Sequence, residues 1–460
     1  MIRFTGRAWE AFGFGTQYAW LLAVAFCGAL SADPGSRAAA LVRISIPCGL
    51  ALCNACVFLF RDKLHFKLHC REAVTIMGFV QAAGTLAMAI APLLGTAETA
   101  VVALGCLAAS AGFSLHMIYG NVFWANIRSE RVMLHMGASA TCAVIVCALI
   151  LLFPLAVRVA LVAALPLAGS VILSRSERTR TRAKTFRHVN PLVRGMVPRT
   201  MAFVASYGFC VGLLLGVACM HASLELQASM LVGALVAGSL ALFFAVRLAS
   251  ATMLKGLFGI GGPAMIAGCS FIIANTRNLL PAGEEIGCAL LMAGFVACDL
   301  FMWFLNAEMV ARTDKSPGEV LARSCMFEWL AMACGALLSV ALVARGDSLD
   351  IAMFQGALCL LLVVFAFVFT AHQAGVLVDA RVKDEGSPTD QVCALLAEQH
   401  GLSQREGEVL TLLAAGRSAP YIQDELVISQ STVKTHTRNI YRKVGVSNKQ
   451  ELIDLVMKAS

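Results

Sequence analysis

Along the first 373 residues, apolar stretches recur between short polar breaks. A bilayer core about 30 Å thick takes about 20 apolar residues per helical span. Twelve stretches meet that length, at 14–32, 38–60, 72–94, 97–119, 131–153, 155–173, 199–222, 227–249, 256–275, 285–305, 320–343 and 349–373. Helices buried in a water-soluble core would run nearer about 10 to 14 residues and carry a polar stripe. Thr141–Phe153 and Leu358–Phe369 show no such stripe. The pattern predicts an all-α fold: a twelve-helix polytopic membrane bundle over 1–373. Residues 374–392 hold Asp379, Arg381, Lys383, Asp384, Glu385, Gly386 and Pro388 and read as a linker with a little helix at most. From 393 to 460 the pattern changes to short amphipathic helices with cap signals, a second, four-helix unit.

Composition agrees. The chain is 59% hydrophobic and 14% charged, with a mean hydropathy of +0.77; soluble domains average roughly 25% charged, so one large soluble enzyme is excluded. The charges are also unevenly placed, with 15 among the last 68 residues and 49 among the first 392. Loop lysines and arginines alternate. One side of the bundle collects 23, eight of them in a central loop from Arg175 to Arg199; the other has only Arg37, Arg43, Arg158, Arg277 and Arg345. By the positive-inside rule both termini are cytoplasmic, and the protein sits in the cell membrane with the bilayer as its solvent. The first stretch lacks a small-residue cleavage signature and reads as a span rather than a removed signal peptide. Sixteen of the 17 cysteines lie in or beside apolar spans, where cysteine acts as a small hydrophobe. Cys53 and Cys56 form a C-x-x-C pair with no second Cys/His pair flanking it, which favours helix packing over metal binding.

Six spans, a long basic loop and six more spans resemble the major facilitator (MFS) architecture of two six-helix halves. The loop after the second span reads Phe60-Arg61-Asp62-Lys63-Leu64-His65-Phe66-Lys67. It keeps the charges of that family's transport motif without its glycines, which argues against active transport.

Ionisable groups within spans are costly and mark functional sites by default. Asp299 and Glu328 fall in spans ten and eleven and Arg43 in span two, with the amides Gln81 and Gln355 also inside spans. Trp303 and Asn306 follow Asp299 at i+4 and i+7, on one helix face. Asp299, Glu328, Arg43, Trp303, Asn306 and Gln81 are the candidates to line a cavity for a small molecule with polar groups. The alternative is that the two acids pair with Arg323 or sit hydrated near the interface.

In the tail, Ser403-Gln404-Arg405-Glu406 is a capping box, followed by Val409, Leu410, Leu412 and Leu413 and a stop at Gly416. Ser418 caps a second helix with Ile422 and Leu426 inward, and Pro420 is tolerated in its first turn. Ser429 starts a third helix through Val433, Ile440 and Val444, and Ser447 a fourth with Leu452, Ile453 and Val456. The short turn between helices two and three is that of a helix-turn-helix. The third helix is then expected in the major groove, with Lys434, Thr435, Arg438, Arg442 and Lys443 off its apolar side.

Leu402-Ser403-Gln404-Arg405-Glu406-Gly407-Glu408-Val409-Leu410 resembles the opening of the LuxR/GerE-type helix-turn-helix. So do Ile428-Ser429-Gln430-Ser431-Thr432-Val433-Lys434-Thr435-His436, Asn439-Ile440 and Lys443-Val444-Gly445-Val446. The resemblance implies that Lys434, Thr435 and Arg438 face DNA, with Thr432, His436 and Arg442 completing the DNA-binding set. It makes Glu408 the buried acid of the first helix and the fourth helix a dimer contact. Gln423 stands where the family usually has a small alanine.

Together the parts imply a membrane-bound one-component transcriptional regulator, in which the spans sense a small molecule and control DNA binding by the tail. A transporter or combined transporter-sensor with a regulatory tail is the alternative. The expected partners are promoter DNA, a small-molecule ligand, the lipid bilayer, a second copy on DNA and, for an activator, RNA polymerase. There is no nucleophile elbow, Walker loop, dinucleotide fingerprint or metal-ligand spacing, so neither an enzyme nor a cofactor is expected.

Overall fold

The computed structural model describes residues 12–33, 35–60, 71–125, 129–175, 201–202, 204–213, 215, 223–247, 250–276, 282–312, 317–343, 360, 388–426 and 428–459. Its contacts divide the chain into two compact units, Met1–Gly375 and Val376–Ser460. Both are helical, and no strand occurs among the described residues.

The first unit runs through α1 (Phe12–Leu21, continued by a π turn over Leu22–Phe26), α2 (Arg37–Leu59), α3 (Arg71–Ile90), α4 (Glu98–Ala125), α5 (Ser129–Leu151) and α6 (Leu155–Arg175). It continues with α7 (Val204–Leu213), α8 (Leu224–Arg247), α9 (Ser250–Thr276), α10 (Gly283–Arg312) and α11 (Pro317–Val343). These eleven elements fall on the first eleven apolar stretches. The twelfth stretch lies outside the described residues except for Leu360, as do the charged loop after Phe60, the central basic loop and Gln355. Among the described residues seven helices are long and apolar enough to cross a membrane. One of them, Glu72–Gly120, has 49 residues. At 1.5 Å per residue that is more than twice a bilayer core. It is two spans, because a 3₁₀ segment at Ala91–Ala97 breaks it and Gly95, at φ 55°, turns the chain back.

The outside of this unit is apolar. Leu93 is 83% exposed and Leu152 80%, with Leu52, Phe79, Leu104, Leu149 and Phe243 among the other exposed side chains. In water such a belt would aggregate; in lipid it is the stabilised surface, and the protein is multi-pass. The interior holds the small and polar residues instead. A Cβ on Gly84 would stand 2.5 Å from the Gly105 carbonyl, so α3 and α4 pack backbone to backbone. The two halves meet along α2 against α11 and α5 against α8. At the second seam a Cβ on Gly137 would lie 2.8 Å from the backbone nitrogen of Leu242.

The second unit packs α12 (Pro388–Gln399), α13 (Gln404–Ala414), α14 (Ala419–Leu426), α15 (Gln430–Val444) and α16 (Lys449–Ala459) around one core. Val409, Leu410, Ile422, Val433, Ile440, Leu452 and Val456 are fully enclosed there. Helix α12 occupies the end of the expected linker, and its Val392, Cys393 and Leu396 join this core. A hydrophobic triplet at i, i+1 and i+4 makes it a structural helix of the tail.

Candidate nucleic-acid interface and the polar centre of the membrane unit

In the tail, local signals set each helix end. Ser403 Oγ accepts from Glu406 N at 3.3 Å, while Ser403 N donates to Glu406 Oε2 at 2.8 Å, the reciprocal capping box. Ser429 Oγ accepts from Thr432 N at 3.2 Å and starts α15; Gly445, at φ 82°, ends it with its N–H on Tyr441 O. The turn before α15 is tied by Ile428 N donating to Gln423 O at 3.1 Å, so Gln423 serves this turn through its backbone. Arg405 closes the same corner, donating to Glu408 and to the Leu426 carbonyl.

Helix α15 buries Val433, Ile440 and Val444 and turns Lys434, Thr435, Arg438 and Arg442 to the exterior. Those four share one face at spacings of three, four and seven. Thr435 Oγ1 donates to Ser431 O at 3.0 Å, so its methyl is what remains to present outward. Arg442 reaches Asn439 Oδ1 at 3.4 Å. Thr432 and His436 are half-buried. The Thr432 hydroxyl joins the cap, 2.7 Å from Ser429 Oγ, and His436 Nδ1 is enclosed without a hydrogen-bond partner. The exposed face is therefore narrower than the expected six-residue set.

Glu408 is not the buried acid. Its side chain is 38% exposed and pairs with Arg405. Glu406 is buried and takes Lys443 Nζ at 2.7 Å, and the Lys443 bond, with the cap hydrogen bond, pulls its carboxyl down to about 2. Lys443, expected off the apolar side, is a half-buried strut that also donates to Gly401 O at 3.1 Å. Glu406 stands at i−3, i−4 and i−7 from Val409, Leu410 and Leu413, so helical spacing alone places it on the core face.

In the membrane unit, Asp299, Trp303 and Asn306 lie buried along one face of α10. Trp303 Nε1 donates to Asp299 Oδ1 at 2.7 Å, and Asn306 Nδ2 donates to Ser324 Oγ of α11 at 3.3 Å. One helical turn along α11, Glu328 is buried within reach of Asp299. Among the described residues, Trp303, Tyr18 and Tyr207 face the two acids, which also lie near each other. Among the described residues no ion pair joins either acid to Arg323. Gln81 belongs to a separate network. Its side-chain amide donates to Gln17 Oε1 at 3.0 Å, and its backbone carbonyl accepts from the Thr85 hydroxyl, which in turn accepts from Trp20 at 2.9 Å. Arg43 is buried on α2. Tyr18, Tyr207, Phe14 and Trp124 escaped the sequence reading, because aromatic residues in apolar spans carry no periodic mark.

Residues 400–456 match the family "Bacterial regulatory proteins, luxR family". The same region is 46% identical over 52 residues to the HTH-type transcriptional regulator MalT of Serratia proteamaculans (strain 568) and to that of Yersinia pestis. The match takes in 11% of this chain and 6% of those proteins, so the chain spans only a small part of the curated relatives it matches. Across the membrane unit the structure is similar to a bacterial homologue of the iron transporter ferroportin (TM-score 0.56, 15% identity, 81% of this chain and 100% of that one). It is also similar to the MFS proton:xylose symporter XylE (TM-score 0.51, 14% identity, 78% and 94%). At these identities the likeness is one of fold. The chain thus joins a membrane unit whose fold is similar to that of these transporters to a helix-turn-helix tail that matches the luxR family over residues 400–456.

Proposed function

We propose that the protein is a membrane-bound one-component transcriptional regulator. The carrying observation is a LuxR-type helix-turn-helix with an exposed Lys434–Thr435–Arg438–Arg442 face in one chain with an MFS-type unit that encloses polar side chains between its halves. Lys434 and Arg442 neutralise phosphates and supply salt-dependent affinity. Arg438 has the forked geometry for guanine O6 and N7, and the Thr435 methyl suits a thymine. Pairs of tails bind two half-sites, α16 supplying the contact between copies, and an activator engages RNA polymerase from there. The lysine and arginine asymmetry puts both termini and the tail in the cytoplasm.

Control requires a ligand that prefers one arrangement of the halves. Moving the population from about 1:99 to 99:1 takes roughly 5.5 kcal/mol of differential affinity. The expected 374–392 segment, as a flexible coil, reaches only about 25 Å, so the promoter comes to the membrane. No enzymatic step is part of this reading. Transcript profiling of a deletion strain across a panel of small molecules tests it: one gene cluster losing its response to one compound supports it, and an unchanged transcriptome across the panel rejects it.

The transporter reading draws on the same fold. It requires saturable uptake by vesicles carrying the full chain, and uptake that persists after the tail is disabled by Arg438→Ala would favour it.

A further inference from the structure

The halves of the membrane unit meet at a cluster whose polar atoms are left over once the fold's own hydrogen bonds are made. Asp299 and Glu328 are each 4% exposed and face one another from α10 and α11, and among the described residues no lysine or arginine faces either. Two buried carboxyls without a counter-charge are costly to keep and mark a functional site. Tyr18, 2% exposed, reaches in from the other half; its hydroxyl faces Asp299 without closing a hydrogen bond of normal geometry. Asn306, 2% exposed, donates to Ser324 and leaves Oδ1 with no partner among the described residues.

The surroundings are aromatic. Phe14 of α1 lies edge-on to Trp303 at 5.3 Å and to Trp124 of α4 at 4.3 Å, and Trp124 meets Trp303 at 6.0 Å. These rings bridge the halves beside the acids. Trp124 Nε1 is buried without an acceptor among the described residues.

We propose that this cluster binds a small organic cation, a protonated or quaternary amine on an aromatic or apolar body. Asp299 and Glu328 supply the counter-charge, and Asn306 Oδ1 takes an N–H where the ligand has one. The negative faces of Trp303 and Tyr18 hold the cationic head, and the indole N–H of Trp124 takes an acceptor on the body. A cationic ligand compensates the carboxyls in their charged form, which a neutral or anionic ligand does not. Because Tyr18, Phe14 and Trp124 belong to one half and the acids to the other, occupancy favours the arrangement in which the halves close on each other. This last step, as a signal, rests on the regulator reading; the site itself does not.

The test uses the full chain in lipid nanodiscs, titrated with benzyltrimethylammonium, benzyl alcohol and benzenesulfonate, with tryptophan fluorescence and thermal stability as readouts. Benzyltrimethylammonium is expected to saturate at least tenfold below either of the others. Asp299→Asn and Glu328→Gln each weaken it by tenfold or more and Asn306→Leu several-fold; Tyr18→Phe, which keeps the ring and guards against misfolding of the acid variants, loses about threefold. Absence of saturable cation binding overturns the site, as do equal affinities across the three probes or cation binding indifferent to Asp299→Asn in a folded variant. Promoter DNA affinity measured in the same discs separates the two readings. Cation binding that leaves DNA affinity unchanged keeps the site and removes the regulator; a DNA response driven by an uncharged or anionic molecule, with no saturable binding of the cation, keeps the regulator and removes the cation site.

Discussion

Lys443, in the last turn of α15, donates to Glu406 Oε2 at 2.7 Å across 37 residues of chain. The acid that caps α13, the helix before the helix-turn-helix, therefore also fixes the far end of α15. The exposed face of α15 is aimed by this bond as much as by the apolar core.

Replacing Glu406 with Gln should destabilise the tail by about 1–2 kcal/mol, since the charge-assisted bond from Lys443 is lost and the acceptor for the Ser403 N–H is weakened. For a unit of this size that is roughly 5–15 °C in melting temperature. The Glu408→Gln exchange, at an exposed pair, should cost under about 1 kcal/mol. Thermal melts of the two variants decide whether Glu406 or Glu408 is the structural acid.

The same bond predicts a pH dependence. An ordinary glutamate titrates near about 4.3, and Glu406 is held at about 2. A depressed carboxyl stabilises the fold above the unfolded value, and the contribution is lost as pH falls through the folded one. The melting difference between wild type and Glu406→Gln should thus be full at neutral pH, shrink below about pH 4 and vanish near pH 2.

On DNA, Arg438→Ala should relax base preference at one position of each half-site by about 1–3 kcal/mol. Lys434→Ala should weaken all sequences alike and reduce the slope of log affinity against log salt by about 0.9. Binding titrations at several salt concentrations, on the specific site and on random duplex, separate the two effects.

Because the Thr435 hydroxyl is spent on Ser431 O, Thr435→Val should retain most DNA affinity, whereas Thr435→Ser, which removes the methyl, should lose several-fold. A serine variant that binds as well as wild type would show the hydroxyl to be the reading group.

Gly137 sits where α5 meets α8, with Leu242 backbone 2.8 Å from where a Cβ would stand. Rigid backbone cannot yield to a branched side chain. Gly137→Val should lower the yield of monodisperse protein sharply, while Gly259→Val, with open space around it, should not. Fluorescence-detected gel filtration reads the difference.

Much of this protein is written in local patterns. Span length, loop charge and the Ser403 and Ser429 caps depend on neighbours within a few residues, so one pass along the chain recovers eleven of the spans and the last four helices of the tail. The face of α15 follows likewise, from Val433, Ile440 and Val444. What local pattern leaves undetermined is which long-range partner a polar group finds. Asp299 and Glu328 stand out as costly residues in any reading, but only the packing of α10 and α11 brings them near each other. Tyr18 and Trp124 are silent in sequence, since an aromatic in an apolar span looks the same whether it meets lipid or the opposite half. Glu406 and Glu408 differ by two positions and swap roles for the same reason: which carboxylate is buried depends on where Lys443 arrives, and that is decided by the crossing of two helices.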